Sequence, residues 1–180
     1  MDEFIHELKI PKARIAVLIG TKGETKRELE EETKTKIEID SKEGEVRIKG
    51  TDTIKLYSVK EMITAIGRGF NPEIAKLMLK PDYYLEIISL QDYTDKHNRL
   101  IQIRGRVIGT KGKSRTTIEI LTDTKISVYG KTISVIGEAS KVFLAKKAIE
   151  NLLEGSNHST VYKWLERSKA KLKEQEFLGI

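Results

Sequence analysis

A five-residue segment, Ile-Gly-Thr-Lys-Gly, occurs twice in this sequence, at residues 19–23 and again at residues 108–112. Its two glycines leave a stretch of backbone without side chains, so a chain of phosphates could come close to backbone N–H groups. A helix beginning directly after the second glycine would add the positive end of its dipole, and the lysine would add a mobile cation. The segment therefore predicts a binding site for a sugar-phosphate backbone. Its residues are Gly20, Thr21, Lys22 and Gly23 in the first copy, and Gly109, Thr110, Lys111 and Gly112 in the second.

Residue types needed for other kinds of chemistry are missing from the sequence or badly spaced. The sequence has no cysteine, which excludes a thiol nucleophile and a disulfide framework. Its three histidines, His6, His97 and His158, lie far apart. The segment Gly109–Ser114 ends like a nucleotide-binding P-loop but has Val107 where that motif requires glycine. We therefore expect no catalytic residues, no metal site and no cofactor, and a protein that is not an enzyme.

The basic charge is concentrated in one part of the chain. The 180 residues carry a net charge of +6, yet residues 1–70 hold 14 basic and 14 acidic residues, so the remainder carries the whole excess. Between Lys96 and Ile118 there are seven basic residues and no acidic residue. A charge run is often only a solvated helix face, but a run of one sign around a glycine loop favours a phosphate-binding surface.

The similarity between the two copies continues beyond the glycine segment. At a constant offset of 89, 10 of the 19 positions from Ile19 to Ile37 are identical, which indicates two copies of one structural unit. Each copy shows a strand, two helices separated by the glycine segment, a hairpin of alternating residues and a closing amphipathic helix. The hairpin loop is two residues shorter in the second copy, where Gly130 and Lys131 form it.

The repeated order β-α-α-β-β-α predicts an α+β fold in which each unit packs its helices on one face of a three-stranded sheet. A further helix after the second unit has an apolar stripe, which is expected to pack onto that unit. The predicted boundaries are residues 1–70 for the first unit, 71–82 for a structured connector, 83–155 for the second unit and 156–180 for the C-terminal helix.

Further residues are expected to complete the site in the second copy. Basic side chains would face phosphates, and aliphatic side chains of the flanking helices and the next strand would form a floor for bases. Such aliphatic residues also serve the core of any small domain. The basic residues are Arg104, Arg106, Lys113 and Arg115, and the aliphatic residues are Ile108, Ile118, Ile126 and Val128.

With this arrangement the sequence resembles a KH protein, twice. A Gly-x-x-Gly loop between two helices, followed by an alternating hairpin, is typical of KH domains, whose loop clamps about four nucleotides of a single strand. The order of strands and helices is that of the type I KH fold. The resemblance implies a tandem of two domains that bind single-stranded RNA.

The second half also resembles the Dim-Two family, also called Partner of Nob One, of small-ribosomal-subunit assembly factors. The resemblance covers residues 84–165 and is carried by Arg104–Gly112, Thr124–Ile126 and Ile133–Gly137. It implies binding to the 3′ region of small-subunit ribosomal RNA during maturation and processing. It also implies cooperation with a Nob One-type endonuclease and with other ribosome-assembly or translation-initiation factors. The intact loop at Gly20–Gly23 and the short N-terminus resemble a compact archaeal member.

The first copy has the same glycine segment in a more acidic setting. Lys26 and Arg27 follow the segment, but so do Glu24, Glu28 and three consecutive glutamates at 30–32. Each phosphate would therefore meet a less favourable field than at the second copy. We expect the second copy to be the principal RNA site, and the first to be either a weaker RNA site or a surface for protein.

Two other functions remain open from the residues alone. The KH surfaces could serve a protein-interaction adaptor, or the chain could be a general binder of single-stranded RNA in mRNA control or decay. An acidic N-terminus, and the lack of an apolar run near the roughly 20 residues of a membrane span, predict a cytoplasmic protein that has no membrane partner.

Overall fold

The computed structural model, which describes residues 3–179, contains two separate antiparallel sheets, and apolar and charged residues alternate over residues 36–40 and 45–49 of the first. The first sheet has the order β1-β3-β2, and the second has the order β4-β6-β5. In the first sheet, Ile37 pairs with Ile48 across the central strand, and both are fully buried. The strands are β1 (Phe4–Lys9), β2 (Lys36–Asp40), β3 (Glu45–Gly50), β4 (Tyr83–Ser89), β5 (Lys125–Tyr129) and β6 (Thr132–Glu138).

Helices occupy the predicted positions in both copies. The β-α-α-β-β-α order is confirmed twice. The hairpin turn of the second copy consists of Gly130 and Lys131, as predicted. The helices of the two copies are α1 (Lys12–Ile19), α2 (Glu24–Thr33) and α3 (Thr53–Gly67), then α5 (His97–Ile108), α6 (Lys113–Thr122) and α7 (Ala139–Leu153).

The residues that are identical between the copies hold the helix after the loop against the next strand. In the first copy, a carboxylate oxygen of Glu30 accepts a hydrogen bond from the backbone N–H of Ile37, at 2.7 Å. Glu119 accepts the equivalent bond from the N–H of Ile126, also at 2.7 Å. Buried threonine pairs, Thr33 with Thr35 and Thr122 with Thr124, are joined at 2.8 Å by their hydroxyl groups. These identities therefore serve the fold.

The chain divides into two compact units, one ending at Tyr83 and the other beginning at Tyr84. The connector after α3 lies in the first unit and contains α4 (Pro72–Ala75) and a 3₁₀ turn. The side chain of Asn71 accepts a hydrogen bond from the backbone N–H of Ile74 at 2.9 Å, and Pro72 takes the first helical position, so the connector contains a capped helix.

The C-terminal helix, α8 (His158–Leu178), packs on α6 and α7 of the second unit. Val161 and Leu165 are buried in the core of that unit, and Trp164 and Leu172 pack against it. The predicted role of the apolar stripe is therefore confirmed. Within residues 3–179, no helix is both long enough and apolar enough to cross a membrane.

The approach to the first helix differs between the two units. In the first unit only Ile10 and Pro11 separate β1 from α1. In the second unit residues 90–96 separate β4 from α5, and α5 has 12 residues where α1 has 8. At the offset of 89, Lys12 corresponds to Ile101, so the first turn of α5 has no counterpart in the first unit.

Candidate nucleic-acid interface

The two glycine loops have nearly the same backbone conformation. The first glycine has φ 73° and ψ 177° in the first loop (Gly20) and φ 72° and ψ 176° in the second (Gly109). The lysine at the third position lies in the left-handed region, with φ 53° in both Lys22 and Lys111. Each loop thus holds the same shape at the N-terminus of the helix that follows it, as the repeated sequence predicts.

The two glycines of the second loop are needed for different reasons. A Cβ atom on Gly109 would lie 2.7 Å from the backbone nitrogen of Ser114, so the loop closes too tightly there for any other residue. Gly112 has φ 77°, a left-handed value that favours glycine, and apart from its two chain neighbours no described residue has an atom within 4 Å of its Cβ position. The surface beside Gly112 is therefore open to a ligand.

Polar and cationic groups of the second loop face outward. Thr110, Lys111 and Lys113 are exposed, and Arg115 is half-buried on the first turn of α6. The Nε atom of Arg115 is buried and makes no hydrogen bond within residues 3–179. The half-buried Arg104 donates a hydrogen bond from its guanidinium group to the carbonyl oxygen of Gly130, at 3.3 Å. Four of these side chains belong to the loop and the start of α6, and Arg104 lies on α5.

Arg106, also expected to bind RNA, makes hydrogen bonds within the fold. Its guanidinium donates hydrogen bonds to the carbonyl oxygens of Leu152, at 3.0 Å, and Ser156, at 2.6 Å. These carbonyls belong to the end of α7 and the turn after it, so the cation satisfies acceptors that the helix leaves unpaired. Arg14 on α1 donates a similar pair of hydrogen bonds to carbonyl oxygens at the end of α3 and just after it. We assign Arg106 to the fold for this reason, although the sequence placed it among the binding residues.

The expected aliphatic floor divides into two pairs. Ile118 has no exposed surface and Ile126 is 4% exposed, and both belong to the hydrophobic core of the second unit. They cannot touch a base unless the core opens, which corrects their expected role. Ile108 and Val128 are half-buried and keep part of their side chains accessible. The sequence could not separate the pairs because all four positions are aliphatic and fit either role.

Two residues of α5 were missed by sequence reasoning. Ile101 is exposed, and apart from the neighbouring backbone of α5 no described residue has an atom within 4 Å of the Cβ position of Gly105. Both residues lie on α5 before the loop. Ile101, Arg104 and Ile108 are three and four positions apart, so they lie on one face of this helix. This spacing in the sequence could have indicated that Ile101 lies on the same helix face as Arg104 and Ile108. The candidate surface therefore runs from the loop along α5.

In the first unit, two of the basic side chains predicted to bind RNA make contacts within the protein. Thr21 and Lys22 are exposed. Lys26 forms an ion pair with Glu30 at 3.3 Å, and Arg27 folds back to donate hydrogen bonds to the carbonyl oxygens of Lys22 and Gly23. The exposed acidic residues of α2 are Glu24, Glu28, Glu31 and Glu32.

The acidic side of α2 also forms an ion pair with a lysine of the connector. Lys76 forms an ion pair with Glu28 at 3.1 Å, and this hydrogen-bonded carboxylate raises the pKa of the Lys76 amine. In the second unit, the first two turns of α6 carry Lys113 and Arg115 and no acidic residue before Glu119. The two loops therefore share a backbone but present different electrostatic fields. Within residues 3–179, no group of His, Asp or Glu side chains could hold a metal ion.

Comparison with protein families gives one match in each unit. Residues 84–170 match the model described as a eukaryotic type KH-domain of type I, for the second KH domain of PNO1. Residues 5–65 match the general KH domain model. Both matches contain the glycine loop of their unit, so the loops described above are the Gly-x-x-Gly loops of two KH domains.

Three known proteins show how far the similarity extends. The KH domain-containing protein MJ0443 of Methanocaldococcus jannaschii is 46% identical over 98% of this chain and 79% of its own length. The RNA-binding protein pno1 of Dictyostelium discoideum is 29% identical over 97% of this chain and 75% of its own length.

The third is a solved structure, the complex of a/eIF2alpha, aDim2p and rRNA from Pyrococcus horikoshii. The matching chain is 47% identical with a TM-score of 0.89, over 94% of this chain and 96% of that chain. Sequence and structure thus agree along nearly the whole chain and across both KH domains. The chain belongs to the PNO1/Dim2 family of proteins with two KH domains.

Proposed function

We propose that this protein is an RNA-binding factor of ribosome assembly that binds the 3′ region of small-subunit pre-ribosomal RNA, chiefly through its second KH domain. It acts by holding a single strand and has no catalytic step of its own. Backbone N–H groups and the dipole of α6 attract phosphates at the loop, while the face of α5 receives the bases.

One observation carries this proposal: the second loop combines an open glycine with a flanking surface that has cations and no acidic residue. Lys111 and Lys113 are exposed beside Gly112, where a phosphate could approach without meeting a side chain. The relatives support the same reading, since one is called RNA-binding and another was crystallised with rRNA.

The family also suggests protein partners. The aDim2p complex contains a/eIF2alpha, which supports a translation-initiation factor as a partner of this chain as well. A Nob One-type endonuclease is a second candidate partner, since an RNA-holding protein would present the strand that such an enzyme cuts. The acidic α2 of the first KH domain is the surface we assign to protein contacts, because its exposed glutamates would repel phosphates.

The proposal is tested by crosslinking the full-length protein to total RNA from its source cells and sequencing both the RNA and the crosslinked peptides. We expect enrichment of the 3′ end of small-subunit ribosomal RNA, with crosslinks between residues 101 and 128. Crosslinks scattered over messenger RNA would favour a general single-strand binder. An absence of crosslinks, together with capture of proteins, would favour an interaction adaptor, and either outcome would overturn the proposal.

A further inference from the structure

Three basic side chains form a row along the exposed side of α8. Lys163, Arg167 and Lys171 are all exposed, whereas Val161 and Leu165 of the same helix are buried. The three basic residues follow one another at intervals of four, so they lie on one face of the helix. The first and the last are about 12 Å apart along the helix axis. We call these three residues the basic stripe.

The basic stripe has no acidic partner within its own unit. In the part of the chain from residue 3 to residue 179, none of its side chains forms an ion pair. Glu166 and Glu174 follow Lys163 and Lys171 by three positions, yet their carboxylates are not paired with them. At the four-residue spacing each cation meets another cation, and like charges at that spacing destabilise a helix. An anion from outside the protein would relieve this repulsion.

A further lysine of α8 has different surroundings. Lys169 lies beside Asp123, which follows α6, and Lys141 of α7. Lys141 donates a hydrogen bond to the Asp123 carboxylate at 2.9 Å and so lowers its pKa, and the charge of Lys169 lowers this pKa further. Lys169 therefore has an acidic neighbour in the second unit, which the basic stripe lacks.

Helix α8 begins close to the second glycine loop. The Nε2 atom of His158, the first residue of α8, donates a hydrogen bond to the carbonyl oxygen of Arg106 at 2.8 Å. Arg106 precedes Gly109 of the loop by three residues. Lys163 follows His158 by five residues, about 7.5 Å along the helix axis. An RNA that passes the loop can therefore continue along α8.

We propose that the basic stripe binds the phosphate backbone of RNA that continues beyond the strand held at the second glycine loop. This inference rests on the proposed RNA-binding function. Phosphate contacts hold a nucleic acid in register and carry no sequence information. The basic stripe therefore adds affinity for longer RNA without selecting its bases.

The side chains around the basic stripe favour RNA over a protein as its occupant. The buried centre of a protein–protein interface is mostly apolar. Between Lys163 and Lys171, however, the large apolar side chains Trp164 and Leu165 pack against the core of the second unit. The exposed side of this segment offers cations and no apolar anchor. A polyanion gains from each cation and needs no such anchor.

The test compares three full-length proteins by fluorescence anisotropy at several salt concentrations. The long probe has about 30 nucleotides with the 3′-terminal sequence of small-subunit ribosomal RNA, and the short probes are fragments of about 10, since one KH domain clamps about four. The wild type is compared with a stripe variant that carries Lys163→Gln, Arg167→Gln and Lys171→Gln. The matched control removes the same charge from exposed lysines of three other elements, through Lys55→Gln, Lys125→Gln and Lys147→Gln.

On the long RNA, the stripe variant should lose three phosphate contacts. The slope of log affinity against log salt should then become less negative by about 2, and the affinity in about 0.1 M salt should fall at least about tenfold. The control should keep the wild-type slope. On the short fragment that binds most tightly, all three proteins should agree.

The remaining outcomes separate failure of this inference from failure of the proposed function. Equal slopes for the wild type and the stripe variant on the long RNA would overturn the inference, favour a protein partner for α8 and leave RNA binding at the loop intact. Equal losses in the stripe variant and the control would reflect net charge alone and would also overturn it. No RNA binding by the wild type would overturn the proposed function. Thermal unfolding checks that the variants fold, and the stripe variant should be at least as stable as the wild type because its like charges are gone.

Discussion

Arg104 and Arg106 are two residues apart on α5, yet their guanidinium groups meet different surroundings. The Arg104 group lies at the candidate surface and contacts one carbonyl oxygen of the hairpin turn. The Arg106 group ties α5 to the last turn of α7 through two carbonyl oxygens. Because these positions lie on different faces of the helix, the same residue type serves binding in one case and folding in the other.

We predict opposite effects for the two alanine variants. Arg106→Ala should lower the free energy of unfolding by about 2–3 kcal/mol, because the lost hydrogen bonds come from a charged donor, and leave the RNA affinity of the folded protein nearly unchanged. Arg104→Ala should weaken RNA binding about threefold or more and change stability little. Urea unfolding and fluorescence anisotropy measure the two quantities. Loss of affinity in Arg106→Ala without loss of stability would contradict our assignment.

At this scale the sequence predicts the loop well and its surroundings less well. The glycines and Lys111 follow from local spacing, which a sequence displays directly. The role of Arg106 depends on carbonyl groups 46 and 50 residues away, and that of Ile118 depends on how deeply α6 packs. Long-range packing determines these roles, so the residue type alone could not assign them.

Among the elements, α8 contributes buried residues to the hydrophobic core of the second unit. Leu165 is 1% exposed and belongs to the same core as the residues of α7. We predict that Leu165→Ala lowers the free energy of unfolding by about 2–5 kcal/mol. The exposed neighbour Glu166 is the control, since Glu166→Ala should change stability by less than about 0.5 kcal/mol. Equal, small effects in denaturant unfolding would show that α8 is not needed by this core.

Helix α3 contains a carboxyl group that burial affects. Partial burial of Glu61 raises the pKa of its carboxyl, and the charge of Lys60 opposes this only in part. A raised pKa means that the folded state binds the proton more tightly than the unfolded state does. Ionisation of this carboxyl therefore lowers the free energy of unfolding as the pH rises from the unfolded-state pKa to the folded-state pKa. We predict that Glu61→Gln is more stable than the wild type at pH 7, and that this advantage shrinks as the pH falls through the raised pKa toward the ordinary value of 4.5. Unfolding across pH measures it, and an unchanged difference at acidic pH would contradict the prediction.

The strands and helices of the two KH domains were predictable because the chain contains each of them twice. An offset that aligns Glu30 with Glu119 also aligns the helices and strands around them, so each copy checks the interpretation of the other. The additional turn of α5 was not predicted as a distinct feature, because residues 97–100 have no counterpart to compare with.

Over the whole molecule, the fold is repeated but the excess positive charge is not. Both KH domains present the same loop, but the excess positive charge belongs to the part of the chain after residue 70. Duplication of a fold therefore does not imply duplication of a binding strength, because phosphate binding depends on the field around the loop as well as on its shape.

We predict a strong salt dependence for RNA binding by the full-length protein. If the second KH domain neutralises about four phosphates, the logarithm of the affinity should fall with the logarithm of salt concentration with a slope near −3, from about −0.7 per phosphate of a single strand. Titrations at several salt concentrations measure this slope. A slope near zero would contradict an interface dominated by phosphate contacts.

The most direct test of the central claim compares charge-reversed loops in the full-length protein. Thr110→Asp with Lys111→Asp keeps both glycines, and aspartate tolerates the left-handed backbone of the third position. This variant should lose at least about tenfold in RNA affinity, whereas Thr21→Asp with Lys22→Asp should lose less than about threefold. Circular dichroism confirms that both fold. Equal losses, or a larger loss from the first loop, would contradict the assignment of the second KH domain as the principal RNA site.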